Sequence, residues 1–395
     1  MKILISSHTG NYLGGAEKSL SLFLKNCSFQ KENIKVVIPH KGWQGDLRSV
    51  LDGEGFSTVI IKKHDDKTPL SKYILSPSKL GKRIWGILRF MKNYYFLLKR
   101  YKPDVIYLNT VYCFTDAIVG FLAGVPVVLH IRGLNNNLTG IRKIRLLIFG
   151  VISTKIITVD NESKRNLTKI SSFFGKNLVY IPNGISLEDT RYDKKTLMSY
   201  KRIYKPDKTI MVGCIGTVTK QKNAEAFAQI ANSITKKYSN VVFCWVGDYG
   251  STPESEDIYC KIHEKHKTLI DNRKLIFTGY QANPYDWIAL FDIFLFLSKK
   301  EGMSRVLLET MTLKRLVICF AIDGNKDLII NDKTGYLISP YDYPAMEEKI
   351  EDILQHGIPK SIIQNAYNLI LNDFTQLKVT RMIERTLVAA CNHVK

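Results

Sequence analysis

Glu301 and Glu309 stand eight positions apart in Glu301-Gly302-Met303-Ser304-Arg305-Val306-Leu307-Leu308-Glu309, around a turn that opens into an apolar helix. An ionised carboxylate only accepts hydrogen bonds, and it can accept from two neighbouring hydroxyls of a sugar together. Between the two, Ser304 has the type and position of an N-cap. The first amides of the helix that it starts favour a negatively charged group such as a diphosphate. Glu309 then lies about 7.5 Å beyond Ser304 along the axis, the length scale from a phosphate to a ribose. Two carboxylates also suggest a glycosidase pair, whose members sit roughly 5 to 9.5 Å apart. Eight positions of continuous helix would separate them by about 12 Å, although the loop leaves that distance open. Glutamates at a helix start and on an exposed helix face are common as well, so the surrounding sequence has to decide.

His130 is the second candidate. It ends the apolar run Val125-Pro126-Val127-Val128-Leu129 and precedes Ile131-Arg132-Gly133, which sets it at a strand's carboxyl end, where open α/β sheets hold ligands. There it could hydrogen-bond a sugar hydroxyl or assist a proton's movement near neutral pH, or it is a satisfied structural histidine. Arg132 beside it meets an anionic acceptor or phosphate, or is a solvated side chain. Only His263 and His266 are close together among the other histidines, and with no acidic ligands near them they read as exposed residues of a polar helix, so no metal site is expected. The seven cysteines are scattered and odd in number, which argues against a disulfide framework and fits a reducing cytoplasm.

The elements that must position these residues alternate between short apolar runs and helical stretches. Phe291 to Ser298 is an apolar run of strand length ahead of Glu301. Lys2-Ile3-Leu4-Ile5 leads through Gly14-Gly15-Ala16-Glu17 into a helical segment, and Ile181-Pro182-Asn183-Gly184-Ile185 marks a turn. Val212 to Gly216 is a strand ending in glycine, followed by Lys220-Gln221-Lys222-Asn223 and a helix from about Ala224. Val242 to Asp248 and Leu275 to Tyr280 read as buried strands with a glycine at the exit. Leu316 to Phe320 is a further strand, and Asn331-Asp332-Lys333-Thr334-Gly335-Tyr336-Leu337-Ile338 follows it.

As an ordered set these motifs resemble the retaining glycosyltransferases of family four, whose signature is Glu, seven residues, Glu and whose fold is the two-domain B type. The resemblance spans nearly the whole chain. It implies transfer of a glycosyl group from a UDP- or GDP-sugar to a glycan or lipid-linked glycan acceptor, with retention, without metal or other cofactor. Glu301 would face the donor sugar and Glu309 would hold the ribose. Lys222, the Gly15 amide and the amides around Gly302, Met303 and Ser304 would bind the diphosphate, preorganised where charge develops. Tyr280 would lie at the edge of the nucleobase, and His130 would face donor sugar and acceptor. Two departures stand out. Thr217 occupies a place where many members carry an arginine, and Lys314 and Leu316 replace the usual Gly and Pro after the second glutamate.

At 395 residues the chain exceeds what one core usually supports. An α/β architecture of two doubly wound, Rossmann-like domains facing a cleft is expected: residues 1–188 for the acceptor, a polar linker at 189–207, residues 208–375 for the nucleotide sugar, and a helix at 376–395 that, as in the family, returns to the first domain. Residues 1–200 hold 31 Lys and Arg against 14 Asp and Glu, whereas residues 201–395 hold 26 against 22. Excess positive charge on one half points to an anionic partner there. No Asp or Glu occurs from Lys67 to Pro103, and Lys79, Lys82, Arg83, Arg89, Lys92, Lys99, Arg100 and Lys102 are interleaved with Ile84, Trp85, Ile87, Leu88, Phe90, Tyr94, Tyr95, Phe96, Leu97 and Leu98. Such a helix lies on an anionic membrane or packs on the core. Arg142 to Phe149 is a second basic, apolar stretch. No run of eighteen apolar residues and no signal-peptide pattern are found, so a cytoplasmic protein, peripheral at the inner membrane face, is expected. The charge alone would suit a nucleic-acid-binding protein, but the aromatics lie in apolar runs and no recognised nucleic-acid motif is present. A nicotinamide-dependent dehydrogenase would need Gly-x-Gly-x-x-Gly after the first strand. A sugar-nucleotide epimerase of related fold is the nearest enzymatic rival.

Overall fold

The computed structural model describes residues 1–12, 15–42, 45–63, 77–133, 140–175, 177–206, 208–322 and 324–392. They divide into two compact units, Met1–Gly184 with Gln376–Lys395, and Ile185–Thr375.

The first unit runs β1 (Ile3–Ser6), α1 (Gly15–Asn26), β2 (Ile34–Ile38), α2 (Leu47–Gly53), β3 (Ser57–Ile60), α3 (Pro77–Tyr101) and β4 (Val105–Leu108). It continues with α4 (Phe114–Leu122), β5 (Val127–Ile131), α5 (Ile141–Ile152), β6 (Lys155–Thr158), α6 (Asn161–Ile170) and β7 (Leu178–Tyr180). All its strands are parallel, in the order β3-β2-β1-β4-β5-β6-β7. Runs such as Val-Ile-Tyr-Leu in β4 and Val-Val-Leu-His-Ile in β5 are buried throughout, as strands covered by helices on both faces must be. Because side chains alternate along a strand, Leu4, Ile106, Leu129 and Ile131 face the helices α3 to α6, while Ile5, Tyr107 and Val128 face the other layer.

The second unit runs α7 (Lys194–Tyr204), β8 (Ile210–Ile215), α8 (Ala224–Lys237), β9 (Val241–Val246), α9 (Pro253–Lys265), α10 (Lys267–Asp271), β10 (Leu275–Phe277) and α11 (Tyr285–Leu290). There follow β11 (Ile293–Phe296), α12 (Arg305–Thr312), β12 (Leu316–Phe320), α13 (Asn325–Leu328), β13 (Tyr336–Ile338), α14 (Tyr343–His356) and α15 (Lys360–Asp373). Its parallel sheet is ordered β10-β9-β8-β11-β12-β13. The last helix, α16 (Gln376–Asn392), belongs to the first unit, where Val379, Ile383, Leu387 and Ala390 are buried with Ile3, Ile5 and Val105.

Two expectations are corrected. The stretch 189–207, expected as a polar linker, contains α7 and falls within the second unit. The Asp193 carboxylate caps that helix, accepting from the Thr196 amide at 2.7 Å, and the rings of Tyr200 and Tyr204 stand 4.6 and 5.1 Å from that of Trp287 on α11. An N-cap followed by Leu197, Tyr200 and Tyr204 at helical spacing was the overlooked signal; Asp207 lies outside the described residues. His266 is not exposed either: it ends α9 and is buried, and that burial holds its imidazole below the usual value.

Candidate active site

In each sheet the strand order reverses once, between β1 and β4 in the first unit and between β8 and β11 in the second. Chain segments leaving adjacent strands at such a point diverge to opposite faces and open a crevice at the strands' carboxyl ends. Gly15 and Asn109 follow the two strands of the first reversal, and Lys222 and Glu301 those of the second.

In the second unit, the segments after β8 and β11 are stitched together. The Lys299 amide donates to the Gln221 carbonyl at 2.8 Å, and the Gln221 side-chain amide donates to the Lys300 carbonyl at 2.8 Å. Asn223 adopts a left-handed backbone, φ 64°, at the start of α8, and its side-chain amide donates to the Tyr343 hydroxyl at 3.1 Å. The Lys222 ammonium thereby reaches the Glu301 carboxylate at 2.5 Å and lies 5.1 Å from the Phe296 ring centre. The two side chains are 23% and 18% exposed, buried enough to be held and open enough to meet a ligand. Gly247 follows β9 and touches the segment that leaves β8. With φ 147°, it leaves room for the Gly216 carbonyl where a Cβ would lie 2.2 Å from that oxygen.

Glu301 leads through Gly302 and the buried Met303 and Ser304 into α12. Ser304 is the N-cap by position, but its hydroxyl makes no capping hydrogen bond. Glu309 lies one turn into α12, 3.9 Å from Arg305 and in hydrogen-bonding contact with Tyr285 of α11. Burial, and then the Glu309 carboxylate, push the Tyr285 phenol well above its usual value, so it stays protonated and can donate. The two glutamates thus have different neighbours, a lysine for one and a tyrosine with an arginine for the other. Tyr280 follows Gly279 at the exit of β10 and is 63% exposed.

In the first unit a polar network closes the carboxyl ends of β4 and β5. Arg132 donates to Asn109 Oδ1 at 2.9 Å, to Asn183 Oδ1 at 3.1 Å and to the Tyr107 hydroxyl at 3.4 Å. The Asn109 side-chain amide donates to the Ala16 carbonyl in the first turn of α1 at 3.1 Å, tying β4 to the helix that Gly15 begins. Arg132 is therefore not a solvated side chain. His130 is fully buried on β5, with its Nδ1 2.5 Å from the Tyr107 hydroxyl and its Nε2 buried without a partner. Burial, and then the Arg132 charge, hold its imidazole well below the usual value, so it is neutral at neutral pH. Sequence reasoning had missed Tyr107 and Asn109, and had read Asn183 only as part of a turn. It also missed His8, 3.4 Å from the buried Glu17 of α1. Gly14 lies outside the described residues.

Comparison with known proteins gives this geometry its context. The family model described as glycosyl transferases group 1 matches residues 199–369, and that of glycosyltransferase family 4 matches residues 46–189. The chain belongs to the family-four glycosyltransferases. This glycosyltransferase is 22% identical to the capsular polysaccharide biosynthesis glycosyltransferase CapM of Staphylococcus aureus, over 82% of this chain and 86% of that one. It is 25% identical to the UDP-Gal:alpha-D-GlcNAc-diphosphoundecaprenol alpha-1,3-galactosyltransferase of Escherichia coli, over 74% and 76% of the two chains. In fold it resembles Anabaena Alr3699/HepE, solved in complex with UDP, with a TM-score of 0.79 and 18% identity over 98% of this chain and all of that one. The two parallel-sheet units are those of the B-type glycosyltransferase architecture. Glycosyl transfer in polysaccharide or glycoconjugate synthesis is the activity of this family member.

Proposed function

We propose that the chain moves a glycosyl group from a nucleoside diphosphate sugar to a hydroxyl of a glycan or lipid-linked glycan, retaining the anomeric configuration and using no metal. The setting is assembly of a bacterial surface polysaccharide or lipopolysaccharide at the cytoplasmic face of the membrane. The observation that carries this reading is the Lys222–Glu301 pair at the β8/β11 reversal, with Glu309 following on α12. An ammonium has three donors, so Lys222 can meet a diphosphate oxygen and keep Glu301 in place. UDP is the favoured carrier, because the Anabaena structure holds UDP and the Escherichia coli relative is named for UDP-Gal. The latter's diphosphoundecaprenol-linked substrate favours a lipid-linked acceptor.

In the step itself the bond from the anomeric carbon to the diphosphate oxygen breaks, with its electron pair leaving on the diphosphate. The acceptor oxygen bonds to that carbon on the same face, and its proton passes to the departing diphosphate. Lys222 stabilises the leaving charge, Glu301 faces the sugar ring as positive charge grows there, and Glu309 accepts from the ribose hydroxyls. Neutral His130 has an Nε2 without a partner but is fully buried, so it serves a sugar hydroxyl only when donor binding uncovers it.

A panel of nucleotide sugars, scored by protection against thermal unfolding and by turnover with and without a glycan acceptor, tests the reading. UDP-sugars should protect, and product should appear only when acceptor is supplied. Glu301→Gln should keep protection and lose more than about a hundredfold in rate. A Glu301→Gln enzyme of near wild-type rate would refute the assigned role, and conversion of the donor sugar without acceptor would favour the epimerase.

A further inference from the structure

Helix α3 packs on the core and leaves a second apolar row outside it. Its buried side is made by Arg83, Phe90, Tyr94 and Leu98, which pack on the sheet and the neighbouring helix. At about 100° per residue, Ile84, Trp85, Leu88, Tyr95 and Phe96 project from the other side, and they are 39–63% exposed. A surface helix normally has one apolar stripe, and the core already takes this one's.

The neighbours repeat the pattern. Helix α4 packs between α3 and α5 on the same face of the sheet and exposes Phe121 and Leu122 at its end. On α5, Leu146 and Phe149 are buried while Ile141, Ile144, Ile148 and Val151, spaced three or four residues apart, form an outward row. The three helices carry numerous lysines and arginines and a single carboxylate, Asp116. That one is buried and paired with Lys63 at 2.7 Å. The layer is thus an apolar surface with cations set among its exposed side chains and no exposed anion. Exposed apolar area of this kind marks an interaction surface. A second copy of the same face would bring like charges together. An anionic bilayer complements both the apolar rows and the charge.

We propose that the outer face of α3, α4 and α5 docks on an anionic lipid bilayer, with Trp85 and Ile144 entering the acyl boundary and Lys92 and Arg142 meeting headgroups. This deepens the proposed function, since a lipid-linked acceptor is delivered at that surface, but docking itself needs neither donor nor acceptor.

Sedimentation of the full chain with vesicles of phosphatidylcholine and phosphatidylglycerol, two parts to one, tests the proposal directly. The chain should sediment with these vesicles, remain in solution with pure phosphatidylcholine, and be released by salt. The double variants Trp85→Ser/Ile144→Ser and Lys92→Glu/Arg142→Glu should each lower partition by more than about tenfold. Nucleotide protection against thermal unfolding should be unchanged in both, because these residues belong to the first unit, whereas Lys222, Glu301 and Glu309 belong to the second. Loss of that protection in the wild type would count against the donor reading alone. Sedimentation that is equal on neutral vesicles, or unaltered in both variants, overturns the docking proposal. So does a salt-sensitive complex with nucleic acid, or concentration-dependent self-association, when vesicle binding is absent.

Discussion

Two side chains illustrate how burial sets chemistry at the scale of one residue. His130 is held neutral by desolvation first and the Arg132 charge second. In the unfolded chain an imidazole gains its proton near pH ~6.5. Acid therefore favours unfolding. The stability linked to His130 is complete above about pH 6.5 and falls as pH drops below it, by up to about 1.4 kcal/mol per pH unit, until the folded-state value is reached. His130→Gln should shrink the drop in unfolding temperature between about pH 7 and pH 5.5 by several degrees. An equal drop in both proteins would contradict a buried neutral imidazole. Tyr285 works in the opposite sense, since its raised phenol remains a donor to Glu309 at any ordinary pH. Tyr285→Phe removes that anchor and should weaken nucleotide binding about ten- to a hundredfold, as for loss of a hydrogen bond to a charged group. Isothermal titration with UDP measures this, and an unchanged Kd would show that Glu309 is positioned by other contacts.

At the scale of elements, the site depends on loops that pass very close to one another. A Cβ on Gly324, at the start of α13, would lie 2.5 Å from the Gly302 carbonyl oxygen and 2.7 Å from the Met303 Cα. Both obstacles are backbone, so the Glu301-to-Ser304 turn must shift to admit it. Gly324→Ala should cost about 1–3 kcal/mol of stability, as overpacking does, and should also reduce protection by UDP. Thermal unfolding with and without ligand separates the two effects. Loss of stability with unaltered UDP affinity would mean that this turn does not touch the donor. Lys222 and Glu301 illustrate the same dependence, because their two segments are held together by the Lys299 amide on the Gln221 carbonyl and the Gln221 side-chain amide on the Lys300 carbonyl.

For the molecule as a whole, chain order and structural order part company at α16. This helix follows the second unit in sequence, yet its apolar side completes the core of the first. Leu387 is fully buried there. Leu387→Ala should destabilise by about 2–5 kcal/mol, and hydrogen exchange should locate the loss in β1 and β4 while β8 and β11 keep their protection. Uniform loss over both sheets would show that the two units unfold as one.

Much of this was legible in the sequence because the signals were local. Continuous apolar runs ending in glycine gave the buried strands, and Glu301, Ser304 and Glu309 could be placed on a turn and the following helix by counting. The tertiary structure alone decided which residues meet. Lys222 and Glu301 lie far apart in the chain and come together only because β8 and β11 are neighbours where the strand order reverses. Tyr107 and Asn109 meet Arg132 because β4 and β5 pair side by side, Asn183 reaches it from the segment after β7, and no spacing in the sequence announces them. Likewise the apolar stripes of α3 could be read as periodicity, but which stripe the core takes and which it leaves to solvent depends on what packs against the helix. Periodicity follows from the covalent geometry of one segment, whereas proximity follows from the pairing of strands and the layering of helices.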